Sequence, residues 1–369
     1  MELNAYPVSR RRFIGQLSAV GALALLPRRV WSAEPAKKLG VALVGLGNYS
    51  RGQLGPALRE TQHCRLAGVV TGVPAKGAKW AREYGFPATS VYDYETMARL
   101  ADNPDIDIVY VVTPNGLHVE HCIAAAKAGK HVICEKPMAN SVSDCDAIIA
   151  ACRAAGVKLS VGYRLHFDPY HRELMRLAKE QDFGPLLKME GDFGFVMGNH
   201  QWRATKKLAG GGPLMDLGVY LIQGGCMAAG EVAPTAVTAR FEPKTRPDLF
   251  VDVEEGIAWT MEFPNGAVGK VLTSYAHNRN QFRAEGARGW IEFKENAFMY
   301  YGLRVETSHG SLKFPKTNQQ ALQMDDFAQC VLTGRATPVP GEMGRRDLAI
   351  IEAIYASAAS GGKRVEVKV

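Results

Sequence analysis

A chain of 369 residues, 47% hydrophobic and 22% charged, is long enough for two domains, and that composition excludes a single small module, a disordered chain and a collagen-like one. Its formal charge of +7 is unevenly placed. Residues 1–33 hold Arg10, Arg11, Arg12, Arg28 and Arg29 against Glu2, and the remainder is too nearly neutral to predict a nucleic-acid partner.

In chain order the first element is an address. Ser9-Arg10-Arg11-Arg12-Phe13-Ile14 precedes an apolar run at residues 17–26 that is too short to cross a bilayer core of about 30 Å as a helix. Basic patch, short apolar run and small-residue exit near Val30-Trp31-Ser32-Ala33 read as a twin-arginine signal peptide over residues 1–33. The export machinery is therefore an expected partner, the periplasm the expected location, and no stable membrane span is expected. That route carries folded proteins, so the seven cysteines, which include no C-x-x-C pair, need no oxidising compartment to fold. No disulfide is expected, although Cys145 and Cys152 share a helix face.

From Leu39 strand and helix alternate. Apolar runs at residues 39–44, 65–70, 106–112, 131–134 and 158–161, with helical stretches between them such as 117–128 and 141–155, predict a βαβ series. The expectation is an α/β Rossmann domain, a doubly wound parallel sheet, over residues 38–162. Gly45-Leu46-Gly47-Asn48-Tyr49-Ser50 follows the first strand and begins a dinucleotide fingerprint, with Ser50 at the third glycine. Its glycines allow the tight turn and the close approach of backbone to a pyrophosphate at a helix N-terminus. At the end of the second strand an acid would bind the ribose of NAD and repel the extra phosphate of NADP. None is present: Val70-Thr71-Gly72-Val73-Pro74-Ala75-Lys76 offers a hydroxyl and a cation suited to a phosphate. NADP is the expected nucleotide, with Thr71 and Lys76 on it, although Lys76 alone reads equally as a solvated residue in the first turn of a helix.

After Gly162 the pattern changes. A helix at residues 169–180 and alternating segments at 186–195, 235–241, 256–263 and 267–275 predict an α+β domain over 163–369 with a large, mostly antiparallel sheet. A last helix, 345–359, is expected to return to the first domain. No internal repeat or low-complexity tract is present.

Three clusters stand out: Cys134-Glu135-Lys136-Pro137 at the end of one parallel strand, Gly162-Tyr163-Arg164 at the end of the next, and Gln201-Trp202-Arg203 leading through a triple glycine to Asp216-Leu217-Gly218-Val219-Tyr220. Oxidising a hydroxyl needs a hydride acceptor beside the carbon and a base beside the oxygen. Asp216 and Tyr220, one helical turn apart, can face one cleft. An ammonium such as Lys136 beside a phenol favours proton release and can hold a substrate oxygen.

From about Leu39 to the C-terminus these clusters resemble the glucose-fructose oxidoreductase, inositol dehydrogenase and rhizopine-catabolism (GFO/IDH/MocA) oxidoreductase family. Glu-Lys-Pro with the later Asp-x-Gly-x-His/Tyr is that family's hallmark. The Tyr163–Pro169 run, the Gln-Trp-Arg and Tyr220 in place of the commoner His are most similar to its glucose-fructose and aldose-aldose oxidoreductase branch. The resemblance implies an NADP-dependent enzyme that oxidises an aldose at C1 to its lactone and reduces a second sugar by ping-pong transfer through a tightly bound nucleotide. It implies catalytic Lys136, Asp216 and Tyr220, with Tyr163 joining them on the sugar. It further implies nucleotide contacts from Gly45, Gly47, Asn48, Tyr49, Thr71, Lys76, Pro114, Asn115, His118, Glu135, Lys136, Arg164, Trp202 and Arg203.

A sugar or inositol dehydrogenase that releases NAD(P)H is the alternative, and a non-catalytic nucleotide sensor is a third reading. Trp202 reads equally as a sugar-stacking or a core residue, and Arg164 as a pocket or an ion-paired residue. His118, His121, His131 and His166 form no metal set, and hydride transfer to a nicotinamide needs no metal. Only Glu34 to Lys38 separate the signal from the first strand, too little for a subunit-wrapping arm, so a homodimer through the large sheet is expected.

Overall fold

Strand β1 (Leu39–Val44) is buried at every residue, as is β4 (Ile108–Val111), because helices cover both faces of the sheet they share. That two-sided burial is why these strands read as unbroken apolar runs. With β2 (Cys64–Val70), β3 (Val91–Tyr92), β5 (His131–Cys134) and β6 (Leu159–Val161) they form a six-stranded parallel sheet in the order β3-β2-β1-β4-β5-β6, the doubly wound order with its reversal between β1 and β4. The computed structural model describes residues 38–369; the expected signal over residues 1–33 lies outside the described residues. The helices of this part are α1 (Gly55–Glu60), α2 (Pro74–Tyr84), α3 (His118–Lys127) and α4 (Val142–Ala154). Ser141 starts α4 by accepting the Asp144 N–H at 3.2 Å, an N-cap in its usual register.

The second sheet has nine strands: β7 (Leu186–Gly194), β8 (Ala236–Phe241), β9 (Gly256–Glu262), β10 (Val268–Ser274), β11 (Arg279–Gly286), β12 (Gly289–Glu295), β13 (Arg304–Thr307), β14 (Gly310–Ser311) and β15 (Val365–Glu366). Their order is β14-β13-β12-β11-β7-β10-β9-β8-β15, antiparallel throughout except that β10 pairs β7 in parallel. One face buries Met189, Phe193, Phe282, Ile291 and Phe293. The other carries charge pairs such as Lys188–Glu285 and Arg283–Glu292. Helix α5 (Pro169–Lys179) and helix α6 (Val219–Ala228) belong to the buried side. At Gly225 an added Cβ would fall 2.9 Å from the Met189 sulfur, so the glycine lets α6 lie close on the sheet.

Two C-terminal helices, α7 (Gln319–Thr333) and α8 (Gly341–Ala359), run back to the parallel sheet. Asp325 of α7 accepts the Gln62 and His63 N–H groups at 2.8 and 2.7 Å. In α8, Arg345 pairs with Asp146 at 2.7 Å and Glu352 accepts the Val142 N–H at 2.8 Å. The second sheet is also tied to α8, through Ser357, which accepts the Ala239 N–H at 2.8 Å. Among the described residues no helix is long and apolar enough to cross a membrane. All seven cysteines are buried free thiols.

Candidate active site

The site is assembled where the ends of parallel strands meet α6 and its approach. At the end of β1, Gly45 takes φ +98, a conformation that glycine adopts without steric cost. Ser50, at the place of a third glycine, is fully buried, and its hydroxyl donates to the Gly45 carbonyl at 2.6 Å. The serine thus closes the turn from within, and the chain leaves through one π-helical turn, Ser50–Leu54, into α1. A Cβ at Gly47 would meet nothing within 4 Å, so the backbone there is open to approach. Asn48 accepts from the Arg51 guanidinium at 3.1 Å.

Along the same edge, Thr71 follows β2, buried, with its hydroxyl accepting the Val73 N–H at 3.2 Å; Lys76 is exposed in the first turn of α2. After β4, beyond Pro114, the Asn115 amide donates to the Ala209 carbonyl at 2.9 Å and ties this loop to the glycine-rich segment. His118 is fully buried, its Nε2 lying 2.8 Å from the Thr113 carbonyl and its Nδ1 3.1 Å from that of Pro137. Burial pushes its pKa down to about 4, so the ring is neutral and donates from one nitrogen only, to a carbonyl of one of the two loops it lies between.

Lys136 follows β5, and its peptide bond to Pro137 is cis. The ammonium donates to the Asp216 carbonyl oxygen at 2.7 Å, lies 3.8 Å from the Asp216 carboxylate, and sits 4.3 Å from the centre of the Tyr220 ring. It therefore covers the ring face of Tyr220, a cation–π contact. Asp216 lies in a second π-helical turn, Leu214–Gly218, that leads into α6; the wider turn changes the expected α-helical spacing, and Lys136 bridges the two side chains. The Asp216 carboxylate also accepts Arg203 Nε at 3.0 Å and the Tyr275 hydroxyl at 3.1 Å. Burial alone would raise its pKa, but Arg203 and Lys136 outweigh burial and hold it below the usual range, so Asp216 is a carboxylate. Glu135 is the reverse case, raised by burial despite a 2.6 Å bond from the Tyr110 hydroxyl.

The remaining expected residues take definite places. Arg164 is buried between the rings of Tyr220 and Tyr300, 5.0 and 4.4 Å from their centres, and donates to the carbonyls of Phe298 and Met299 and to Gln319 Oε1. Its recorded partners are thus carbonyl oxygens rather than a carboxylate. Trp202 is half-buried with the Arg203 guanidinium 4.4 Å above it, outside the core. Tyr49 has its ring 6.1 Å from Tyr300. Tyr163 is buried and lines a small cavity with Lys136, Leu165, Val219, Tyr220 and Gln223. Lys136, Asp216, Tyr220, Arg164 and Arg203 therefore form one cluster, while Thr71, Lys76 and Asn115 serve other strand ends and His118 lies against the loop that carries Lys136.

Residues 39–163 match the sequence model of an oxidoreductase family with an NAD-binding Rossmann fold, and residues 171–292 that of the GFO/IDH/MocA C-terminal domain. The chain belongs to this GFO/IDH/MocA family. An aldose-aldose oxidoreductase from Caulobacter crescentus, solved with glycerol, is 41% identical; the likeness covers 89% of this chain and 100% of that one at a TM-score of 0.86. The D-xylose 1-dehydrogenase [NADP(+)] of Haloarcula marismortui is 27% identical across 89% of this chain and 94% of its own. A levoglucosan dehydrogenase solved with NADH and levoglucosan is 25% identical, covering 90% of this chain and 100% of that one at a TM-score of 0.77.

The residues of this GFO/IDH/MocA oxidoreductase fit a dinucleotide: the positive-φ Gly45, the open backbone at Gly47 and the buried Ser50 closure form the phosphate-side turn. Sequence reasoning missed Tyr275, Tyr300 and the buried glutamines of α7. Gln319 holds Arg164, Gln320 donates to the Tyr49 hydroxyl at 3.4 Å, and Gln323 to the Tyr110 hydroxyl at 2.8 Å, which in turn bonds Glu135. Glutamines at i and i+4, interleaved with Ala321, Met324 and Phe327, were the available signal.

Proposed function

We propose that this oxidoreductase takes a hydride from C1 of an aldose, releases the lactone, and passes the hydride to a second sugar through one tightly held NADP. The observation that carries the reading is the meeting of Lys136 with Asp216 and Tyr220 at 2.7 to 4.3 Å, at the carboxyl edge of the parallel sheet where such folds bind ligands. The bound nicotinamide supplies the hydride acceptor and donor. Lys136 orients the sugar oxygen. Asp216, kept ionised by Arg203, fixes that ammonium in place, and Tyr220 accepts the hydroxyl proton and later supplies one to the carbonyl oxygen of the second sugar.

Support for an aldose comes from the 41% identical relative. NADP is favoured by the absence of an acid at the end of β2 and by Thr71 and Lys76 there. A second reading, an NADP-dependent sugar dehydrogenase that releases reduced nucleotide, is favoured by the similarity to the xylose dehydrogenase. Export by the twin-arginine route to the periplasm rests on residues 1–33, and assembly as a homodimer through the large sheet completes the proposal.

Reduced-nicotinamide absorbance of the purified protein, taken before and after glucose, tests it. A signal that rises with glucose and falls with a second sugar, with no nucleotide added, supports transfer within one bound nucleotide. A protein that responds only to added NADP and releases NADPH supports the second reading. An inert one refutes both.

A further inference from the structure

Behind Tyr220 lies a second polar cluster that the proposed chemistry does not use. Among the described residues ten buried side-chain atoms lack a hydrogen-bond partner, and six of them sit together: Tyr163 Oη, Gln223 Oε1, His166 Nδ1 and Nε2, Glu231 Oε1 and Arg346 Nη2. Buried polar atoms in folded proteins are nearly always satisfied, and where the protein offers no partner, water does. Tyr163 and Gln223 line the cavity that also touches Lys136 and Tyr220, and that cavity has room for about one water.

From this cavity the cluster runs outward. The ring of His166 is 6.1 Å from that of Tyr163, and its Nε2 lies 3.3 Å from Glu231 Oε1 without good hydrogen-bond geometry. A fixed frame holds these groups: Gln223 donates to the fully buried Asp347, Asp347 pairs with Arg346 at 2.9 Å, and Arg346 pairs with Glu231 at 3.2 Å. Glu231 has φ +65, a left-handed backbone that is uncommon outside glycine, and its N–H donates to the Cys226 carbonyl at 2.7 Å at the end of α6. That turn aims the carboxylate inward while leaving the side chain 35% exposed. The inner end of the cluster meets Lys136 and Tyr220, and the outer end is the partly exposed Glu231.

We infer that Tyr163, His166 and Glu231, bridged by water held at Tyr163 Oη and Gln223 Oε1, form a proton relay between Tyr220 and solvent. The inference rests on the oxidation proposed above. Each hydroxyl oxidised gives up a hydride, which the nicotinamide accepts, and a proton, which Tyr220 takes. The relay passes that proton through the water to Tyr163, His166 and Glu231, and returns one from solvent when a carbonyl is reduced. The charges facing this path are Lys136 at its inner end and the Arg346–Asp347 pair beside it. Asp347 is a positioning residue: it accepts from Gln223 and pairs with Arg346, and so fixes both beside the path.

The test is a single turnover of nucleotide-loaded enzyme with glucose in weak buffer, following nicotinamide absorbance and a pH-indicator dye together. One proton should appear in solution per nucleotide reduced, in step with the absorbance. Glu231→Gln keeps a partner for Arg346 and leaves the absorbance phase unchanged, but the dye phase should lag by tenfold or more. His166→Phe should show the same lag, and it serves should the first variant misfold. A silent dye in the wild type, or a dye signal that keeps pace in both variants, overturns the relay. A crystal structure of the protein supplies a readout independent of turnover: ordered water bonded to Tyr163 Oη and Gln223 Oε1 is expected, and a dry cavity overturns the inference. Failure of glucose to change the absorbance at all would count instead against the proposed function.

Discussion

The two sides of Tyr220 are built on opposite plans. In front, the carboxylate is saturated: Asp216 accepts from Arg203 and Tyr275, and its own carbonyl accepts from Lys136. Behind, Tyr163, Gln223, His166 and Glu231 face one another with atoms left over. Preorganised charge is what a developing oxyanion needs, since a fixed dipole does not reorganise during the reaction. A proton, by contrast, needs partners that can exchange, and a saturated network offers none. The front therefore fixes geometry, whereas the rear keeps donors and acceptors free to exchange.

The largest expected effect breaks the front directly. Tyr220→Phe should slow both half-reactions by about 10² to 10⁴-fold, the usual cost of a lost acid/base, with nucleotide retained. Lys136→Ala should be similarly severe, because it removes both the donor to the sugar oxygen and the cation on the Tyr220 ring. Stopped-flow absorbance of the reductive half-reaction decides both, and a wild-type rate in Tyr220→Phe would remove Tyr220 from the assignment. His166, on the rear side, would then be the next residue to substitute.

A smaller effect sharpens the contrast. Asp216→Asn keeps the shape but leaves Arg203 and Lys136 facing each other without a countercharge, so the rate should fall on the order of 10²-fold, the scale of a misplaced catalytic group. The same carboxylate also sets a pH dependence. Its folded pKa is depressed, so the stability it contributes is present above the unfolded value of about 3.9 and is lost as pH falls through the folded one. Denaturation of wild type and Asp216→Asn compared down to pH 3 should show the wild type losing more.

How much of this was legible differs between the same two sides. Lys136, Asp216 and Tyr220 carry chemistry in residue types that stand out beside strand ends, and the parallel sheet announces itself because two-sided burial writes continuous apolar runs. The rear was readable only at Tyr163 and His166: Gln223, Asp347 and Arg346 are polar residues inside α6 and α8 that look like solvated helix positions until the helices are packed. Strands β11 to β14 went unseen for a related reason, since β11 alternates around only two buried residues, Phe282 and Ala284. The apolar period of α7 was hidden by the three glutamines it turns inward. His118 is an intermediate case: expected as a nucleotide contact, it is a fully buried ring whose nitrogens lie beside the Thr113 and Pro137 carbonyls.

That histidine supports the front without taking part in the chemistry, and its test measures stability rather than rate. Its pKa lies near 4 in the folded protein against an ordinary 6.5, so between those values the unfolded chain binds a proton that the folded one refuses. Stability from the neutral ring is therefore full above pH 6.5 and falls as pH drops toward 4, by about 2 kcal/mol between pH 7.5 and 5. His118→Gln keeps one donor for the two loops but cannot titrate. It should be less stable than wild type at pH 7.5, and the gap should narrow by that amount at pH 5, measured by urea denaturation with an unchanged slope. A constant gap would mean that His118 is solvated or protonated in the folded protein, and the loops that carry Lys136 would then be held by something other than this ring.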